Sequence, residues 1–158
     1  MNQIIPTQAL EQGELVQTAD QIFANRIVGY GEEDPRVLVA NVLNWRTHPR
    51  FQADVTQQLL ASIGWVDQVK VNLRRQEAWP EHERDMKTIV DGHLRVKLAI
   101  ETNQATVPVA YLDLTPEEEA LVLATFDMVT GLAEADPKIL AQLYERVQLE
   151  DDQVWKML

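Results

Sequence analysis

The segment Thr88-Ile89-Val90-Asp91-Gly92-His93-Leu94-Arg95 holds the end of a strand, a break and the start of a helix. The β-branched run favours an extended backbone. Gly92 stops it, and Leu94, Leu98 and Ala99 line a helix of roughly ten residues that fades near Asn103. Arg95 therefore falls in a first helical turn. Donors in that turn lack intrahelical partners, and the helix dipole is positive there. Glycine allows close approach to a ligand, and arginine offers a planar fork to phosphate oxygens. The unit reads as a strand, a turn suited to an anion, and a helix.

Upstream, Val66, Val69, Val71 and Leu73 suggest a strand. Before it, Phe51, Val55, Leu59 and Ile63 recur every four residues as a helical stripe that Gly64 ends. Residues 74–85 are charged and contain Pro80, which reads as an exposed loop. A first strand is expected at 26–30, closed by Gly31 and the acidic turn Glu32-Glu33-Asp34-Pro35. Downstream, 107–112 reads as a strand, with Pro108 placing it at an edge or at a strand start. Thr115-Pro116-Glu117-Glu118 opens a helix to about Asp127, because threonine caps, proline suits the first position and acids oppose the dipole. Asp136-Pro137 opens a last helix with Ile139, Leu140, Leu143 and Val147 as its expected buried stripe. This order predicts an α+β fold, a small mixed β-sheet flanked by helices. Residues 1–25 read as an N-terminal extension, 26–147 as one domain and 148–158 as a C-terminal tail.

The 158 residues suit a single core-forming domain. The absence of cysteine excludes disulfide and thiolate chemistry and fits a reducing compartment. Residues 1–10 lack the basic start and apolar run of a signal peptide, and nothing approaches the roughly 20 apolar residues of a membrane span. A cytoplasmic protein with no membrane partner is expected. The net charge of −11 opposes wrapping of bare duplex DNA, but the charge is uneven. Residues 44–97 carry nine basic and seven acidic side chains, whereas 98–158 carry three basic and twelve acidic. The Gly92 turn thus lies in the only segment that is not acidic. That placement allows a local basic patch for phosphate, or for DNA reached directly or through a partner protein.

Asn44-Trp45-Arg46-Thr47-His48-Pro49, then 58–66 and Val69-Lys70-Val71, resemble the opening of ParB/sulfiredoxin-like domains. Residues 89–99 resemble their signature strand-turn-helix, and Val107-Pro108-Val109 with the helix start at Thr115 resembles their next strand and helix. The Asp91-Gly92-His93 form with a long acidic helix is most similar to the branch of this "ParB-like nuclease" family found in phage and mobile elements. The resemblance implies a nucleotide or phosphate pocket at the glycine turn. It implies a nucleoside triphosphate, with Mg2+, as cofactor, a role in DNA modification, packaging or partition, and a homodimer. Nuclease or NTPase activity in the same pocket is one alternative; a non-catalytic adaptor that docks on a DNA-processing partner is another. The chain departs from partition proteins, which carry a glutamate and paired arginines after the glycine. His93, Leu94 and Arg95 stand at those positions. Sulfiredoxins need a cysteine where His93 stands, so their chemistry is excluded. No helix-turn-helix segment follows before Leu158, and reading of a partition site is not expected.

The candidate phosphate-binding residues are accordingly Gly92, His93, Leu94 and Arg95 on the turn, with Asn44, Arg46, Thr47 and His48 as an opposing wall. His93 and Asp91 are the candidate base and metal-steering acid if the pocket is catalytic. Asp91 is read first as a cap for the helix after it, Trp45 as a hydrophobic lid, and Glu117, Glu118 and Glu119 as a solvated helix start. His48, His82 and His93 show no tight ligand spacing, so no protein metal site is expected.

Overall fold

A computed structural model describes residues 23–146 and Lys156. The extension at 1–25 lies outside the described residues except for its last three positions, and the tail at 148–158 except for Lys156. The strands are β1 (Ile27–Glu33), β2 (Val69–Asn72), β3 (Thr88–Asp91) and β4 (Val107–Leu112). The helices are α1 (Arg50–Ile63), α2 (His93–Glu101), α3 (Pro116–Thr130) and α4 (Pro137–Tyr144). The sheet order is β1-β4-β2-β3. The outer pairs are antiparallel, and β2 and β4 run parallel at the centre with Val71 opposite Tyr111. This is the mixed sheet with flanking helices expected from the sequence. Pro108 marks a strand start, not an edge, since β4 has partners on both sides. The first strand continues past Gly31 because Gly31, Glu32 and Glu33 pair with Val109, Pro108 and Val107.

Ile89 and Val90, adjacent in β3, belong to two separate cores, so both faces of the sheet are covered. One core gathers Leu38, Val69, Val71, Ile89, Val96, Ala99, Val107 and Val109. The other joins Val90, Leu112, Leu114 and Leu123, bringing α3 onto the opposite face. Of the stripe on α1, only Val55 is buried; Phe51 and Ile63 are exposed. Val66 is exposed and precedes the strand it was expected to join. Thr115 and Glu118 form a capping box at the start of α3, an arrangement that contributes about 1 kcal/mol. Arg26 also pairs with Glu118, tying the start of β1 to that cap.

Three expectations are overturned by tertiary contacts. Residues 74–85 are not simply an exposed loop, because Arg74 and Trp79 are buried and stack with the guanidinium carbon 4.1 Å from the ring centre. Glu119 is not solvated: it is 1% exposed and faces the sheet with Leu123 one helical turn on. The stripe on α4 is not buried either, as Ile139 and Leu143 stand exposed; Val147 lies outside the described residues.

Candidate functional site

β3 delivers the chain to Gly92, which adopts φ +99° and serves as the N-cap of α2 without any side-chain cap. Left-handed backbone of this kind favours glycine. A Cβ at Gly92 would also meet Val69 Cα at 3.3 Å and the Arg95 guanidinium at 3.2 Å, so the absent side chain is what lets Arg95 lie across the turn. The first intrahelical bond is Val96 N–H to the Gly92 carbonyl, 3.0 Å. The first-turn N–H groups of His93, Leu94 and Arg95 therefore stand uncapped at the edge of a cavity.

That cavity has a volume of about 300 Å³ and brings Asp91, Gly92, His93, Leu94 and Arg95 together with Arg46 and His48. The facing corner is set by a single parallel bridge between Val39 and Thr88, with Ile89 N–H to the Val39 carbonyl at 2.8 Å. Asn44 lines an adjoining, more apolar cavity of about 480 Å³ with Leu38, Ile89, Val96 and Ile100. His48, His93 and Leu94 border both cavities, so the two lie side by side. Thr47 lines neither. Leu94 has its side chain in the core, which leaves its N–H for the site. Sequence reasoning missed Gln52, Thr56 and Asp127, which also line the first cavity. A polar face on α1 was the one signal for the first two; Asp127 arrives from α3 by tertiary packing alone.

Carboxylates hold both arginines. Arg46 pairs with Asp127, and Arg95 with Asp67 and Asp91 while also donating to the Gln68 carbonyl at 3.3 Å. Asp91 does not cap α2; Lys70 holds it at 2.9 Å and Arg95 at 3.3 Å. Burial pushes its carboxyl upward, but the Lys70 bond and charge together with Arg95 outweigh that and keep it below the usual carboxylate range. His93 is pushed below the ordinary imidazole value, first by burial and then by the nearby Arg46 charge. Its Nε2 accepts the Asn41 backbone N–H at 3.2 Å, so the neutral ring carries its proton on Nδ1. Trp45 is a weaker lid than expected: its indole donates to the Leu123 carbonyl at 3.0 Å while the residue stays 60% exposed.

Strand order, two-sided helix cover and a glycine-led helix beside a cavity define the fold class, an α+β domain with a four-stranded mixed sheet flanked by helices. The chromosome-partitioning protein ParB from Caulobacter crescentus, C-terminally truncated and complexed with CTP-gamma-S, has a similar fold at a TM-score of 0.55 and 18% identity, over 80% of this chain and 70% of that one. The complex of that protein with the centromeric parS site gives 0.45 and 19%, over 74% and 59%. A Pnob8-like ParB-N domain gives 0.47 and 12%, over 75% and 50%. The first of these, at a TM-score of 0.55, shows that the fold is ParB-like. No protein-family model matches the sequence, and comparison with curated proteins finds no match. Among the described residues no helix is long and apolar enough to cross a membrane.

Proposed function

We propose that the chain is a ParB-like nucleotide-binding domain acting in DNA transactions of a phage or mobile element, with the phosphates of a nucleoside triphosphate seated at the start of α2. The uncapped helix start at Gly92, bordered in one cavity by Arg46, Arg95, His48 and His93, carries this reading. The adjoining apolar cavity beside Asn44 suits the nucleoside end of the same molecule. The ParB of similar fold in complex with CTP-gamma-S adds support for the ligand class. The carboxylates do not argue against it. Asp67 and Asp127 are more than half exposed, so each can turn out to solvent while the largely buried Arg46 and Arg95 stay on the pocket wall. A polyphosphate offers each guanidinium a stronger, bidentate acceptor. Among the described residues no cluster of three or more metal-ligating side chains exists, so Mg2+ would ride mainly on the phosphates, with Asp91 and Asp127 as the carboxylates on the wall.

Turnover of that nucleotide, or phosphodiester cleavage, is the other use of the pocket, with Asp91 and His93 in the catalytic roles. Asp91 is already shared between Lys70 and Arg95, and His93 Nε2 already accepts a backbone N–H. Both groups are committed, which supports binding ahead of turnover. A thermal-shift panel of CTP, ATP and GTP with Mg2+ tests the reading. At a concentration 100 times Kd, stabilisation should be about 2.7 kcal/mol. No shift with any nucleotide at millimolar concentration overturns it, and phosphate release in the same samples would favour turnover.

The exposed apolar side chains of α3, of the turn after it and of α4, among them Phe126, Val129, Leu132, Ile139 and Leu143, support a second copy or a DNA-processing partner as their cover. Sedimentation velocity with and without nucleotide should show a dimer that Leu132→Glu abolishes. A monomer under every condition would leave the partner protein as the cover and remove the homodimer.

A further inference from the structure

A buried polar network runs from the far loop to the pocket. Glu119 Oε1 accepts from Asn41 Nδ2 at 2.6 Å and from Arg74 Nη2 at 2.7 Å; its Oε2 accepts from Asn72 Nδ2 at 2.7 Å. Asn72 is itself pinned to both backbone groups of Leu114, at 3.2 and 2.9 Å. Arg74 extends the chain outward to Glu83. Asn41 is the member that meets the site. Its backbone N–H goes to His93 Nε2, its side-chain oxygen takes the Leu43 N–H at 3.0 Å, and its carbonyl takes the Asn44 N–H at 3.0 Å. The backbone groups and side-chain oxygen of Asn41 are therefore spent on the 41–44 corner and on His93, and its amide nitrogen on Glu119. A residue needed only for packing has no reason to be arranged so.

We propose that Asn41 and Glu119 are positioning residues for the anion pocket. Glu119 clamps the Asn41 amide, and Asn41 locks His93 as the single tautomer with Nδ1–H as its donor while setting the corner that presents Arg46. The inference deepens the nucleotide-binding reading and rests on it for the ligand, but the tautomer lock stands apart from any ligand. A neutral ring locked this way can donate to a phosphate oxygen and cannot act as a base through Nε2. The network thus selects binding over proton abstraction at His93.

The test is the ring 15N spectrum of 15N-histidine-labelled protein without nucleotide, with His93→Gln identifying the His93 signals among three histidines. The unsubstituted protein should show one neutral species protonated on Nδ1. Asn41→Ala keeps the backbone N–H that His93 accepts but loses the Glu119 and Leu43 bonds that hold it in place, so it should give mixed tautomers at His93 and about a tenfold weaker nucleotide affinity. A wild-type ring protonated on Nε2 overturns the proposal whether or not any variant folds. So does a folded Asn41→Ala whose His93 remains wholly Nδ1–H. A shifted tautomer with no nucleotide binding in any form supports the lock and overturns the ligand reading instead.

Discussion

Replacing Glu119 with alanine should lower the unfolding free energy by about 3–5 kcal/mol, the range for stripping a buried charge of its partner. Arg74 has its side chain only 7% exposed and would keep Glu83 and the Trp79 ring, but would lose both bonds to the carboxylate. The Asn41 and Asn72 amides would each lose an acceptor in the interior, where an unmade bond costs about 1–3 kcal/mol. Glu119→Gln keeps the volume but turns an NH2 group toward donors, so it should fall between alanine and wild type. Urea unfolding measures both, and the melting temperature of the alanine variant should drop by on the order of 10 °C. Coupling between Glu119→Ala and Arg74→Ala in a double-mutant cycle should reach about 0.5–3 kcal/mol. A loss under about 1 kcal/mol for Glu119→Ala would mean that water or rearranged neighbours satisfy Arg74, and that the network holds nothing in place.

Glu119 also shows where sequence reasoning reaches its limit. Three glutamates in the first turn look alike as counter-charges to the dipole. Only helical phase separates them: Glu119 lies four residues before the buried Leu123, so it shares the core-facing stripe. That signal was present and was masked by composition. The partners were not visible at all, because Arg74 is 45 residues away and Asn41 is 78 away, and no local period links them. Residues 74–85 misled for the same reason, since charge and Pro80 predict exposure while a cation–π stack buries Arg74 and Trp79.

Short-range physics was legible. The strand, glycine and helix at 88–101 and the Thr115 cap depend on neighbours within four residues, and both form where expected; the return bond from Glu118 that completes a capping box was not foreseen. The pocket was half legible. Its turn is local, and the corner at Arg46 and His48 arrived with a family resemblance. Asp67 and Lys70, and separately Asp127, which set the charge balance around Arg46 and Arg95, come from two other parts of the chain. The α4 stripe has helical periodicity but no partner within the described residues, and periodicity alone cannot say what covers an apolar face.

Gly92→Ala should abolish nucleotide-dependent stabilisation, whereas Gly64→Ala should leave it intact, although both place alanine at positive φ. Gly92 sits at φ +99°, ψ +18° and Gly64 at φ +78°, ψ −161°, two different conformations that both disfavour alanine, each by about 1–3 kcal/mol. Their surroundings differ. A Cβ at Gly64 meets nothing within 4 Å, while one at Gly92 meets Val69 Cα at 3.3 Å and the Arg95 guanidinium at 3.2 and 3.3 Å. Val69 lies fully buried in β2, hydrogen-bonded into the centre of the sheet, and cannot retreat. Arg95 must move, and with it goes the fork laid over the helix start. The new methyl should also crowd the approach of a phosphate oxygen to the uncapped N–H groups of the same turn. Arg95→Ala separates these effects, since it removes the fork and leaves the turn open; affinity should fall about 10–100-fold, with the remaining donors still binding. Titration calorimetry with the nucleotide that gives the largest thermal shift orders the series: Gly64→Ala like wild type, Arg95→Ala weakened, Gly92→Ala without measurable heat. Full binding by Gly92→Ala would place the phosphates somewhere other than this turn.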